Sequence, residues 1–156
     1  MKEIPLSLQG KNKRCYVALV DDDDYDLLTQ HRWSLNNSRY AVTFNGSHIL
    51  MHRLIMNCPK DMVVDHINNN GLDNRKCNLR ICTAIENHYN TKIHVSNKTG
   101  FKGVSLHKMS NKFEVRIRFN GKKLHIGLFD DKEEAAKAYD LAAKSYHKQF
   151  ARLNNI

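Results

Sequence analysis

Three polar side chains near the middle of the chain, Asp65, His66 and Asn87, are of the types that hydrolyse phosphodiester bonds. The reaction needs a base that deprotonates the attacking water, and a histidine with an ordinary pKa near ~6.5 suits that role. A carboxylate and an amide offer the oxygen ligands that hard divalent cations prefer, and such cations keep positions for water and phosphate. These residue types therefore predict metal-assisted hydrolysis.

The sequence around these side chains predicts the order strand, loop, strand, helix. Met62–Val64 is a β-branched run, a polar loop rich in asparagine follows, and Asn78–Cys82 alternates as a second strand. Thr83 and Glu86 form a capping box, which starts a helix at Thr83 and places Asn87 on its second turn. Because neighbours on a strand point to opposite faces, a bulge or the strand end is expected to re-aim the histidine beside the aspartate.

Five short elements occur in order between residues 50 and 92: His52-Arg53-Leu54, Val64-Asp65-His66, Leu72-Asp73-Asn74, Asn78-Leu79-Arg80 and Glu86-Asn87. Together they resemble HNH nucleases of the homing-endonuclease kind, which phages and introns carry. The resemblance implies an α+β protein with a ββα-metal (His-Me finger) nuclease module.

The resemblance also implies a role for each matching position. His66 corresponds to the general base, and Asp65 and Asn87 correspond to the metal ligands. Asn78 corresponds to the central asparagine, a residue of the catalytic site that braces the loop and orients the histidine. Arg80 is expected to meet a DNA phosphate. The expected cofactor is one divalent ion, Mg²⁺ with Mn²⁺ as the alternative, without a structural zinc or a small-molecule cofactor.

These residue types are also compatible with a protein that does not cleave DNA. The loop asparagines can be turn residues without a chemical role, and a nuclease fold can lose its activity. Cys77, Cys82, His88 and His94 have the residue types of a zinc site, but their spacing fits no common zinc pattern. The two histidines are expected to face solvent or phosphate.

A β-hairpin is predicted in the last third of the chain. Phe113–Phe119 alternates strictly, and Asn120-Gly121 is a strong two-residue turn signal. Folding about this turn makes three apolar cross-strand pairs, which are Ile117 with Leu124, Val115 with Ile126, and Phe113 with Leu128.

The other face of the hairpin is predicted to be basic. It pairs Arg118 with Lys123 and Arg116 with His125. Like charges directly opposite each other destabilise an isolated sheet, which favours a surface that receives an anion. The alternative is that these long side chains extend into water.

A helix follows the hairpin. Asp131 and Glu134 form a second capping box, and the helix is expected to extend to about His147. One apolar stripe is expected to pack on the sheet, and it consists of Ala135, Ala138, Tyr139, Ala142 and Tyr146.

Three strands and one helix over residues 98–155 resemble the ethylene-response-factor (APETALA-type) DNA-binding domain of plants. The matching text is GVSLHK, the hairpin, Gly127–Phe129, EEAAKAYDLAA and the closing Ala151-Arg152-Leu153-Asn154. The resemblance implies that the sheet enters the major groove. The implied DNA-binding positions are Lys102, Ser105, His107, Arg116, Arg118, Lys123 and His125. The reading face lacks tryptophan, and Ser105 and His107 stand where arginines are usual, so a GC-rich target is not implied.

Residues 1–50 are expected to form an α+β segment that packs on the nuclease module. Cys15–Val20 and Tyr40–Phe44 have the pattern of strands, Asp22–Gln30 that of a short helix, and His52–Met56 that of the start of another. The run Asp21–Asp24 lacks the glycine and distal glutamate of an EF-hand loop and favours a helix N-terminus. Trp33 and Tyr40 are expected in the core.

The remaining organisation follows from composition. The nuclease module is expected at residues 51–93, a polar linker at 94–100 and the DNA-binding domain at 101–156. Residues 97–156 carry 13 basic and 6 acidic side chains and so hold most of the net charge of +9. Such a distribution is typical of polyanion binders, although it also favours solubility.

The cysteine pattern and the absence of an apolar leader or membrane-length stretch predict a reduced cytoplasmic protein. The sequence-based hypothesis is a metal-dependent endonuclease that acts on double-stranded DNA as a monomer or weak dimer, encoded by a phage or mobile element in a bacterial host. One HNH site cuts one strand, so a monomer should nick. The first alternative is a non-catalytic DNA-binding regulator. The second is an RNA-cleaving toxin, which is disfavoured because the predicted sheet fits a major groove that A-form RNA does not expose.

Overall fold

The structure is a computed structural model that describes residues 1–7, 16–154 and 156. The chain forms two compact units, residues 1–84 and residues 85–156. The predicted strand Cys15–Val20 is observed from Tyr16, and Cys15 lies outside the described residues. No helix in the described part of the chain is long and apolar enough to span a bilayer.

The first unit combines small antiparallel sheets with short helices. β1 pairs with β2, β3 and β5 pair with β4, and β6 pairs with β7. The bounds are β1 Lys2–Leu6, β2 Tyr16–Val20, α1 Asp22–Thr29, β3 Ser34–Leu35, β4 Ala41–Phe44, β5 His48–Leu50, α2 Met51–Ile55, β6 Val63–His66 and β7 Leu79–Cys82. The acidic run of α1 lies at its N-cap and first turn, where the helix dipole favours negative charge.

One hydrophobic core holds the first unit together. It contains Ile4, Leu6, Ala18, Val20, Leu28, Trp33, Ala41 and Met51. Trp33 is 2% exposed, and its indole Nε1 donates a hydrogen bond of 2.7 Å to the Leu28 carbonyl. Burying each large apolar side chain contributes roughly 1.5–3 kcal/mol, so this core is a rigid base for the elements that follow.

The polar loop between β6 and β7 is tied to this core by the backbone of β2. The Leu19 amide donates to the Leu72 carbonyl at 2.8 Å, and the Asn74 amide donates to the Leu19 carbonyl at 2.8 Å. Arg53 of α2 fixes the approach to β6, because its guanidinium donates to the carbonyls of Met62 and Pro59, both at 2.7 Å. The loop and β6 therefore have defined positions within the first unit.

The second unit contains a three-stranded antiparallel sheet in the order β8, β9, β10, with a helix packed on it. The bounds are α3 Ala84–Tyr89, β8 Val104–His107, β9 Lys112–Phe119, β10 Lys122–Phe129 and α4 Lys132–His147. α3 begins one residue before this unit. Gly103 has φ +75°, and a Cβ there would meet the Tyr139 ring at 2.0 Å, so the close approach of helix and sheet requires glycine.

The hairpin register begins as predicted and then shifts. Ile117 pairs with Leu124, and the basic pairs Arg118–Lys123 and Arg116–His125 are observed. A bulge at Ile126 then changes the partners, so the predicted pairs Val115–Ile126 and Phe113–Leu128 are wrong. Val115 faces Gly127 and Phe113 faces Phe129. The physical reason is packing: the bulge turns the larger Phe129 towards the core and leaves Leu128 42% exposed.

α4 begins at its predicted cap but buries a different stripe. The Asp131 carboxylate accepts bonds from the amides of Glu133 and Glu134, at 2.8 and 2.9 Å. The buried residues of the helix are Ala135, Ala136, Tyr139, Ala143 and His147. The prediction that Tyr146 is core was wrong, because the helix is rotated so that His147 faces inward and donates from Nε2 to the Arg118 carbonyl at 2.7 Å.

Candidate functional site

Asp65 lies in the middle of β6, directly opposite Arg80 of β7. The Arg80 guanidinium donates to Oδ2 of Asp65 from Nε at 2.8 Å and from Nη2 at 2.5 Å. The Asp65 side chain is 5% exposed. A buried carboxylate needs such a partner to compensate its charge, and the two bonds also fix the orientation of Asp65.

His66 is the last residue of β6, and its ring packs among other rings of the first unit. The Tyr40 ring stacks on it at 5.6 Å between centroids, and His52 approaches its edge at 4.9 Å. A Cβ on Gly71 would meet the Tyr40 ring at 2.7 Å, so the glycine admits this tyrosine. β6 pairs regularly through His66, so the histidine stands at a strand end, which was one of the two expected ways of re-aiming it.

Asn74 fixes the His66 ring. Its Oδ1 lies 3.1 Å from His66 Nε2, and its Nδ2 faces the Met51 sulfur at 3.5 Å. An amide oxygen only accepts, so Nε2 carries the proton and Nδ1 is the basic nitrogen of a neutral ring. Asn74 is fully buried, and the bond is thereby shielded from water.

The surroundings of His66 favour its neutral form. Burial lowers the pKa of His66, while the Asn74 bond and the charges of Asp65 and Asp73 partly oppose that shift. Burial also lowers the pKa of the adjacent His52, to about 3, with a second contribution from His66. These lowered pKa values favour the uncharged form of both rings, which is the state a general base requires.

Asn78 braces the loop that leads to Asn74. Its Nδ2 donates to the Asp73 carbonyl at 2.8 Å and to Asn68 Oδ1 at 3.0 Å, and its Oδ1 accepts from the Asn68 amide at 3.0 Å. Arg75 forms two further bonds of 2.7 Å to the Asp73 carboxylate. Asn74 lies in hydrogen-bond contact with His66, and the orienting role predicted for Asn78 stays a prediction.

Asn74 was missed as a site residue, although it lies in one of the five elements that resemble HNH nucleases. The position of Asn74 was a signal, because Asn74 follows Asp73 in a loop that must fold back onto the strand that carries His66. Five asparagines occupy residues 68–78, and their local sequence does not distinguish them. The backbone hydrogen bond between Asn74 and Leu19 of β2 places Asn74 beside His66. This contact joins residues far apart in the chain, so local sequence does not predict it.

Asn87 lies in α3 and is half-buried. Its pairing with Asp65 around a cation stays a prediction. No group of three or more His, Cys, Asp or Glu side chains within residues 1–7, 16–154 and 156 is arranged to hold a metal ion. A site of one carboxylate and one amide does not require such a group.

The outer face of the second unit's sheet carries the predicted DNA-binding side chains. Arg116, Arg118, Lys123 and His125 are all exposed, in two adjacent cross-strand pairs, and Ser105 is exposed on β8. His107 is half-buried and its Nδ1 lies 2.8 Å from the Ser110 hydroxyl.

One acidic side chain on this face was missed. Glu114 has the same strand parity as Arg116, and its Oε1 lies 2.7 Å from Arg116 Nη2 and 3.2 Å from His125 Nδ1. Only 10% of its side chain is exposed. Alternation along β9 places Glu114 among the arginines, so the sequence contained the signal.

Lys102 differs from an exposed DNA-contacting lysine. Its Nζ donates to the carbonyls of Tyr89 and Thr91, at 2.6 and 2.7 Å. Burial, and secondarily the charge of Arg152, lower the pKa of Lys102 to about 8. This ammonium group anchors the backbone that follows α3.

Comparisons with known proteins agree with the central motif. Residues 50–89 match the family model described as HNH endonuclease. An uncharacterized HNH endonuclease of Acanthamoeba polyphaga mimivirus is 31% identical over 156 residues, covering 96% of this chain and 80% of that protein. Protein 3.8 of Escherichia phage T7 is 34% identical over 94 residues, covering 60% of this chain and 77% of that protein.

Proposed function

The chain belongs to the HNH endonuclease family, and from this premise we propose that it hydrolyses phosphodiester bonds of double-stranded DNA with His66 as general base and with a divalent metal ion. HNH nucleases generally use such an ion. The observation that carries the proposal is the buried His66 ring, whose Nε2 contacts Asn74 and which directly follows Asp65 on β6.

The proposed step begins at His66. Its Nδ1 takes a proton from a water molecule whose oxygen attacks the phosphorus. The bond from phosphorus to the leaving sugar oxygen breaks, and that oxygen is protonated from solvent. Asn74 and Tyr40 keep the ring in place while its charge changes from zero to +1. The nearby carboxylates of Asp65 and Asp73 favour the charged ring that forms.

The donor set proposed for the ion is the Asp65 carboxylate with the Asn87 amide oxygen. These are hard oxygen ligands and fit Mg²⁺ or Mn²⁺. When bound, the ion neutralises charge on the phosphate and on the leaving oxygen. Arg80 orients the Asp65 carboxylate, and the phosphate contact predicted for Arg80 stays a prediction.

The sheet of the second unit is proposed to dock on duplex DNA, as the resemblance to the ethylene-response-factor domain implies. Support comes from the exposed pair Arg118–Lys123, which places like charges opposite each other, whereas Glu114 compensates the charge of Arg116. A phosphate backbone across this face relieves that repulsion. Tethering this binder to a nuclease raises the local concentration of DNA at the cutting site.

Glu114 is expected to restrain non-specific binding by this face. Its carboxylate forms an ion pair with Arg116 and contacts His125, and a phosphate must displace the carboxylate from both side chains. Glu114→Gln should therefore tighten binding to random-sequence duplex severalfold at low salt. The slope of log K against log salt should become more negative by about 0.9, the value for one additional phosphate contact. Fluorescence anisotropy across a salt series measures both.

Glu133→Gln is the matched control, because it removes one acidic charge from the exposed first turn of α4. Equal tightening in both variants would mean that only net charge matters, and the proposed restraint by Glu114 would be refuted.

Metal-dependent nicking separates the nuclease from its first alternative, a non-catalytic regulator. Purified protein should convert supercoiled plasmid to the open circle with Mg²⁺, and EDTA should abolish the reaction. Binding without conversion, in Mg²⁺ or in Mn²⁺, would favour the regulator. Cleavage of duplex RNA in preference to duplex DNA would favour the RNA-cleaving alternative.

A further inference from the structure

A pocket of about 360 Å³ in the second unit has a cationic lining. It is formed by the segment after α3, the turn before β8 and the end of the chain. The lining residues are Lys92, Ile93, Gly100, Phe101, Lys102, Arg152, Leu153 and Asn154. Three of the eight are basic and none is acidic.

Among the residues that the structure describes, these three cations form no ion pair with an acidic side chain. Within the described part of the second unit, no ion pair joins Lys92, Lys102 or Arg152 to a carboxylate. The carboxylate that contacts the lining is Asp140, and it accepts three bonds of 2.9, 3.2 and 3.0 Å from the amide groups of Asn154. The positive charge of the wall is therefore not compensated locally.

Hydrogen bonds to the backbone fix the wall of the pocket. Asn154 is buried and accepts a bond of 2.7 Å from the Lys102 amide, which joins the chain end to the turn before β8. The Lys102 ammonium joins the same turn to the carbonyls of Tyr89 and Thr91. Neutral hydrogen-bonding groups thus keep these like charges together, and burial, with a second contribution from Arg152, lowers the pKa of Lys102 there.

We propose that this pocket binds a phosphate group, with Lys92 and Arg152 as the contacting cations and Lys102 as the fixed charge behind them. Ile93, Phe101 and Leu153 line the same pocket and give an apolar surface to a sugar or base attached to the phosphate. The phosphate comes either from a DNA backbone or from a free phosphate compound. The backbone source deepens the proposed function and rests on it, whereas the free source does not.

The test uses Lys92→Gln/Arg152→Gln and leaves Lys102 intact, because the Lys102 ammonium supports the fold through its bonds to Tyr89 and Thr91. The matched control is Lys137→Gln/Lys144→Gln, which removes the same charge from exposed positions of α4. One arm titrates inorganic phosphate and follows the amide signals of Gly100–Lys102 by ¹H–¹⁵N NMR. The other measures random-sequence duplex binding across a salt series.

Inorganic phosphate at millimolar concentration should shift these amide signals in the wild type and the control but not in the pocket variant. If the phosphate belongs to DNA, the pocket variant should also bind duplex more weakly, with a salt slope smaller by about one. A response in the phosphate arm alone assigns the site to a free phosphate compound.

The proposal is overturned if the pocket variant matches the control in both arms. Failure of the proposed function is distinguishable, because a wild-type protein that binds no duplex still reports on the pocket through the phosphate arm.

Discussion

His66→Ala should lower the rate of plasmid nicking by about 10²–10⁴-fold, the usual contribution of a positioned general base. The water would then lose the group that accepts its proton, while Asp65 and Arg80 of the adjacent strand pair stay in place. The expected loss is in the turnover rate, with DNA affinity unchanged, because the predicted docking side chains are on the sheet of the second unit. Single-turnover nicking and anisotropy on the same samples separate the two quantities.

His48→Ala is the matched control for this substitution. His48 is an exposed histidine on β5 in the same unit, and its removal should leave nicking unchanged. A His66→Ala protein that folds normally and nicks at the wild-type rate would remove His66 from the mechanism.

Asn74→Leu should reduce the nicking rate by about 10–100-fold, the usual effect of losing the partner that orients a functional histidine. The substitution keeps the branched shape and the number of heavy atoms but removes the acceptor 3.1 Å from His66 Nε2, so the tautomer and the ring orientation are no longer fixed. Asn74→Asp keeps an acceptor oxygen and should recover much of the rate. The measurement is the turnover rate at saturating DNA, beside thermal unfolding of each variant.

A purely structural role for Asn74 predicts a different pattern. Both substitutions would then lower the unfolding temperature and the rate together, with no recovery by aspartate. An Asn74→Leu protein with the full wild-type rate would contradict the orienting role outright.

The parts of the fold that local sequence determines were predictable. Alternation located β9, and the Asn120-Gly121 turn set the first pairs of the hairpin. The Asp131 cap marked the start of α4 because its carboxylate bonds the first free amides of the helix. These features depend on residues within a few positions of one another.

The rest depended on tertiary contacts. The bulge at Ile126 arises because Phe129 fills the core better than Leu128, which no alternation rule contains. Asn74 contacts His66 because a backbone hydrogen bond joins Asn74 to Leu19, 55 positions away in the chain. The DNA contact of Lys102 stays a prediction, but its bonds to the carbonyls of Tyr89 and Thr91, which anchor the segment after α3, were not predictable from local sequence.

The chemistry of the candidate site was predictable only in part, because residue types are visible in the sequence but their surroundings are not. Residue types at Asp65, His66 and Asn87, which supply a base and hard oxygen ligands, predicted hydrolysis together with the resemblance to HNH nucleases. The neutral state of His66 required the structure, since it follows from burial. The pairing of Asp65 with Arg80 required the strand register.

One measurement tests the central claim most directly, namely nicking of supercoiled plasmid during a Mg²⁺ titration by wild type, Asp65→Ala and Asn87→Ala. We expect open circles that increase with Mg²⁺ for the wild type, and loss of most activity in both variants even at high Mg²⁺. Undiminished nicking by the two variants, or wild-type nicking that persists in EDTA, would contradict it.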